Sequence, residues 1–126
     1  MGYQTYQLYI TVTNNITVQI GRLRRFEFPA GFYIYTGSAK RGMENRLARH
    51  LAQEKKLRWH IDYLLNHPDA SITKIEKFTE PECEINARTD GEILVPGFGA
   101  SDCKAKCGSH LKYMTEPNLP VNHIDF

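Results

Sequence analysis

Apolar and polar residues alternate through the first third of the chain. In "YQTYQLYITV", Tyr6, Leu8 and Ile10 share one face, the two-residue period of a strand. Asn14-Asn15 is a turn signal, and "ITVQIG" beyond it reads as the second arm of a hairpin. "LRRFEF" is a third short strand, closed by Pro29-Ala30-Gly31. "FYIYTGS", rich in aromatic and β-branched residues, is a fourth.

At Met43 the period changes. Met43, Leu47 and Leu51 recur every four residues, which predicts a helix reaching about residue 54. A second helical run, "LRWHIDYLLNH", collects Leu57, Ile61, Leu64 and Leu65 on one side and stops before Pro68. "ITKIEKFT" returns to alternation, and Pro81 sits in the first turn of a short helix, "PECEINAR". After Arg88 the chain is glycine-rich and irregular, with a short strand at His110–Met114 and an extended tail over residues 115–126. With no repeat, low-complexity tract or linker in it, the pattern predicts one α+β domain over residues 1–126.

Composition narrows the class. The 126 residues, 41% hydrophobic and 24% charged, are those of an ordinary globular domain large enough to bury a core. No apolar stretch approaches the length of a membrane span, and "MGYQTYQLYI" lacks the basic start and cleavage site of a signal peptide. Tyr6 occupies the position where a myristoylation signal needs Ser or Thr. The expected setting is cytoplasmic, without a membrane partner. Three cysteines, an odd number, argue against a disulfide framework.

Net charge is only +2, but its distribution is uneven. Residues 22–60 hold ten Lys/Arg against three Asp/Glu, whereas the remainder holds six against eleven. A basic excess of that kind suits a phosphate-binding face, and also a solvated helix face. Within it, Arg46 and His50 are four apart on the first predicted helix, so their side chains leave on one face beside the apolar stripe. A guanidinium there can grip a phosphate while its stem stays packed, and the imidazole can donate to the same anion or shuttle a proton. Gly37 and Ser38 lie between strand and helix, where a missing side chain lets a bulky substrate approach the backbone. The alternative is a tight turn followed by a solvated basic helix.

"YTGSAKRGMENRLARHL" resembles the central motif of GIY-YIG nucleases: a strand ending in Tyr-x-Gly, then a helix carrying Arg and, four residues on, His. The resemblance continues into a small-protein branch that also occurs attached to endonuclease III-like repair enzymes. Its marks stand in order as "GFYIYTGSA", "RLARHL", "KLRWHIDYLL", "PECEI" and "FGASDC…SHL", spanning a core of about residues 4–113. Two departures are visible. Gln4 stands where the first half of the motif has glycine, and the late cysteines are further apart than is typical.

The resemblance implies a small central antiparallel or mixed sheet flanked by helices, and a metal-dependent phosphodiesterase. It implies Tyr6 and Tyr35 as the motif tyrosines, Arg46 as the phosphate clamp, His50 as helper and Glu82 as ligand of one Mg²⁺ or Mn²⁺, with Glu84 in reserve. A lone carboxylate completed by water and phosphate oxygens suits those cations. Tyr6 acts as a base only where nearby cations lower its pKa from about 10. Gly37, Ser38, Lys40, Arg41, Arg49 and His60 complete the candidate substrate contacts, the basic ones as electrostatic guides.

Other residues carry two readings. Trp59 and Tyr63, four apart, form either a packed aromatic pair or a base-stacking platform. His60 and Asp62 either reach the cleft, Asp62 then as an orienting or metal-binding acid, or fix the helix. Cys83, Cys103, Cys107 and His110 would complete a zinc site if they met in space, against buried thiols as the alternative. The leading expectation is an endonuclease acting on DNA, with RNA left open and a repair-protein partner in view. Behind it stand a non-catalytic nucleic-acid-binding module and a zinc-stapled interaction domain. Oligomeric state is not legible.

Overall fold

The computed structural model describes residues 2–20, 24–39, 41–52, 57, 59–89, 91–94, 98 and 109–114. Among them run β1 (Thr5–Val12), β2 (Ile16–Ile20), β3 (Arg24–Phe28), β4 (Gly31–Ser38), α1 (Met43–Leu51), α2 (His60–Leu65), β5 (Ala70–Phe78), α3 (Glu82–Arg88) and β6 (Leu111–Met114). The central sheet has the order β5-β1-β4-β6, with every pair antiparallel. The protein is an α+β fold.

The alternation in β1 sorts its residues onto two covered faces. On one, Leu8, Ile10 and Val12 join Tyr33 and Tyr35 of β4, and Ile20, Phe28, Leu47, Ile61, Leu64 and Phe98 close over them. Each large side chain in that core contributes about 1.5–3 kcal/mol. The other face is polar. The Gln7 amide donates to Thr36 Oγ1 at 3.1 Å and to Thr89 Oγ1 at 2.7 Å, while Asn86 on α3 donates to the Ser109 carbonyl at 2.9 Å. Buried polar groups are tolerated there because they are hydrogen-bonded. Lys112 on β6 donates to the carbonyls of Asn86 and Thr89 at the end of α3, where a cation is favoured.

Three expectations about elements change. β2 is not the partner of β1; it pairs with β3 in a separate two-stranded sheet, because both edges of β1 are taken by β4 and β5. Asn14 and Asn15 do make a bend, but their side chains tie it to Asp69 and to the Ala30 N–H rather than closing a hairpin. α2 starts at His60, leaving Leu57 outside, since the Asp62 carboxylate accepts the Trp59 N–H at 2.9 Å and caps the helix there. Pro81 is the N-cap of α3 rather than part of its first turn. α1 ends at Leu51, and the expected extension over residues 53–54 and the tail at 115–126 lie outside the described residues. α1 is entered through Gly42 at φ 66°, a left-handed conformation that glycine adopts at little cost.

Candidate active site

The corner where β1, β4, α1 and α3 meet is built around one close approach. Tyr6 on β1 faces Gly37 on β4, and a Cβ at position 37 would lie 2.5 Å from both Cζ and Oη of the Tyr6 ring. Gly37 therefore makes room for Tyr6. The space read from the sequence as open to a substrate is filled by this ring. Gln4, in the place of the motif's glycine, donates its side-chain amide to the Thr79 carbonyl at 2.7 Å, while its backbone carbonyl accepts from the Ala39 N–H at 2.8 Å. It pins the start of β1 without disturbing Tyr6.

The Tyr6 hydroxyl lies 2.6 Å from His50 Nε2. Both are buried, at 1% and 2% exposure. His50 thus serves the phenol and not an external anion, contrary to the expectation that it would face the phosphate alongside Arg46. Tyr35 completes an aromatic cluster, its ring centroid 6.4 Å from that of Tyr6 and 6.3 Å from that of His50. Burial pushes Tyr6 up to about 12, with the Arg46 guanidinium pulling the other way and the Glu82 and Asp62 carboxylates adding to the rise. Tyr35 is held well above the ordinary phenol value by burial first and then by Tyr6, Glu82 and Asp62. Arg46 alone does not make Tyr6 acidic. A Tyr6 proton leaves toward His50, whose Nε2 accepts when the ring is protonated at Nδ1.

Arg46 and Glu82 supply the reachable charges. Arg46 Nη1 donates to the Ser38 carbonyl at 2.9 Å, and its guanidinium lies over the Trp59 ring. Glu82 opens α3, with its side chain 25% exposed and Oε2 2.6 Å from His110 Nδ1. Its field reaches both tyrosines, whereas Glu84 stands exposed on the helix surface.

Several expected guides sit elsewhere. Arg49 is held by Asp62 through two bonds, at 3.0 and 2.9 Å, so its charge is neutralised by a buried acid and it is not an electrostatic guide. Asp62 is accordingly an orienting residue, both oxygens engaged. His60 is half-buried, its ring packs against Phe98 at 5.5 Å, and burial lowers its pKa. Arg41 is exposed just ahead of α1. Trp59 pairs with arginines and with His50, at 5.7 Å, rather than with Tyr63. Lys40, Cys103 and Cys107 lie outside the described residues.

Sequence reasoning missed two contacts. Lys77 of β5 stands opposite Tyr6 and bonds Glu44 of α1 at 3.0 Å, and His110 reaches Glu82. The alternation of β5 carries Lys77 onto the Tyr6 face, but register across strands is not written in either strand alone.

Glu82 offers a carboxylate oxygen, the kind of donor that a hard cation takes. Among the described residues no three His, Cys, Asp or Glu side chains gather to hold a metal, and His110 is turned to Glu82. Glu82 presents a partly exposed carboxylate with Oε2 toward His110. One such oxygen, with water and phosphate oxygens around it, matches Mg²⁺ or Mn²⁺.

The fold is α+β, and one corner of its antiparallel sheet brings the Tyr6–His50 pair together with Arg46 and Glu82. The chain matches the family model described as "Domain of unknown function DUF123" over residues 5–125, and it belongs to that family. No match was found among curated proteins or among solved structures. No helix among the described residues is long and apolar enough to cross a membrane.

Proposed function

We propose that this protein is a GIY-YIG-type endonuclease that hydrolyses DNA phosphodiester bonds with one Mg²⁺ or Mn²⁺. The observation that carries this reading is the 2.6 Å Tyr6–His50 pair with Arg46 beside it. In the proposed reaction the Tyr6 oxygen takes a proton from the attacking water while its own proton passes to His50 Nε2. Water oxygen bonds to phosphorus and the bond to the sugar oxygen breaks, that oxygen leaving with the electron pair and taking a proton from solvent. Arg46 faces the charge that gathers on the phosphoryl oxygens, the largest single lever in such chemistry. Glu82 would hold the cation, which supplies Lewis acidity toward phosphate oxygen when bound. Tyr35 stays protonated and packs against Tyr6 and His50.

One observation favours a second reading. Tyr6 is 1% exposed, as a core residue of a non-catalytic nucleic-acid-binding module would be. Labelled intact, nicked, flapped and damaged DNAs, incubated with Mg²⁺, Mn²⁺ or EDTA, separate the two. The nuclease reading expects metal-dependent cleavage that falls by about two to three orders of magnitude in Arg46→Ala or Glu82→Ala. Full cleavage by either folded variant removes its assignment. Binding without cleavage under every metal favours the module.

A further inference from the structure

Trp59 heads α2, and its backbone N–H donates to Asp62 Oδ2. The same wholly buried carboxylate takes both terminal nitrogens of Arg49. One acid therefore fixes the Trp59 backbone and an α1 side chain together. The Trp59 ring then meets two guanidiniums of α1: the Arg49 carbon lies 4.2 Å and the Arg46 carbon 4.5 Å from its centroid. Because Asp62 neutralises Arg49, Arg46 contributes the net positive charge on that ring.

Arg46 donates from Nη1 to the Ser38 carbonyl and is within hydrogen-bonding reach of the Tyr6 hydroxyl. That leaves most of its five donors for a ligand, on a side chain with several rotatable bonds. Charge stabilisation works when the donor is ordered before the reaction, and ordering a free arginine costs rotamer entropy. A tryptophan face holds a guanidinium without using any N–H.

We infer that Trp59 is a positioning residue for Arg46. Asp62 and Arg49 frame the indole, and its face holds the Arg46 guanidinium beside the Tyr6–His50 pair with its donors directed to phosphate. The catalytic consequence rests on the nuclease reading above; the contact itself does not.

The test uses the full chain and the variants Trp59→Phe and Trp59→Leu. Nitrogen-resolved NMR of the arginine Nε–H groups is expected to give an ordered, ring-current-shifted Arg46 signal in the wild type. That signal weakens in W59F and collapses to the solvent-averaged position in W59L. Single-turnover cleavage is expected to slow by about tenfold in W59L, with DNA affinity unchanged and W59F intermediate. An unchanged Arg46 signal in W59L overturns the inference whether or not the protein cleaves DNA. Equal cleavage rates in wild type and W59L overturn its catalytic part. If the wild type cleaves nothing, the nuclease reading fails while a collapsed Arg46 signal upholds the contact. Where W59L does not fold, Arg49→Lys, which keeps the charge and loses the two-pronged bond, is expected to broaden the Arg46 signal, and an unchanged signal there overturns the inference.

Discussion

Tyr6 and Gly37 show how one missing side chain sets a site. No positive φ constrains Gly37, so its requirement comes from the Tyr6 ring alone. Gly37→Ala is expected to cost about 1–3 kcal/mol in urea unfolding by forcing the ring aside. In a cycle with Tyr6→Ala that cost should shrink, and strict additivity would show the ring is not the cause. The buried phenols also predict alkaline sensitivity. Burial holds Tyr6 up to about 12 in the folded protein, against about 10 when unfolded. The unfolded chain loses its proton first, so this stability is complete below the lower value and drains away between the two. Urea midpoints across that window should fall less steeply in Tyr6→Phe than in the wild type. The residue types of this corner were legible in the sequence, because a Tyr-x-Gly strand followed by Arg and His on one helix face is a local pattern. What fills the space at Gly37 was not, since the occupant comes from a neighbouring strand.

At the scale of elements, the Arg49–Asp62 bond ties α1 to α2, and its two halves are unequal. Asp62 is wholly buried, whereas the Arg49 side chain keeps 23% exposure. Arg49→Ala leaves a buried carboxylate alone and is expected to cost about 3–5 kcal/mol, whereas Asp62→Ala lets Arg49 rehydrate and, even with about 1 kcal/mol for the lost cap on the Trp59 N–H, costs less. Chemical denaturation of the two variants checks the order, and a larger loss in D62A contradicts it. Periodicity located β1, β4, β5 and α1 through the spacing of their apolar residues, although β1 and β4 are covered on both faces. The partner of β2 escaped it: Asn14-Asn15 announces a bend, while pairing is decided by which sheet edge remains open. The start of α2 was hidden in the same way, since Leu57 fits the apolar stripe but the bond from Trp59 N–H to Asp62 sets the boundary.

Over the whole molecule, the site draws on β1, β4, α1 and α3, so it exists only when the sheet is assembled. On the nuclease reading, the basic middle segment predicts DNA binding that weakens steeply with salt. EDTA is expected to abolish cleavage and leave that binding in place, as a gel-shift and cleavage assay on one sample would read; binding lost with the metal would move the DNA contact from the basic residues to the cation. Trp59 gives the protein one more property. It is the sole tryptophan of the chain, under two guanidiniums and 5.7 Å from the His50 ring. Its emission therefore comes from one address, and anything that draws Arg46 away or brings a proton to His50 alters its quenching. On the nuclease reading, the chain carries a built-in optical gauge of site occupancy, readable without label or turnover.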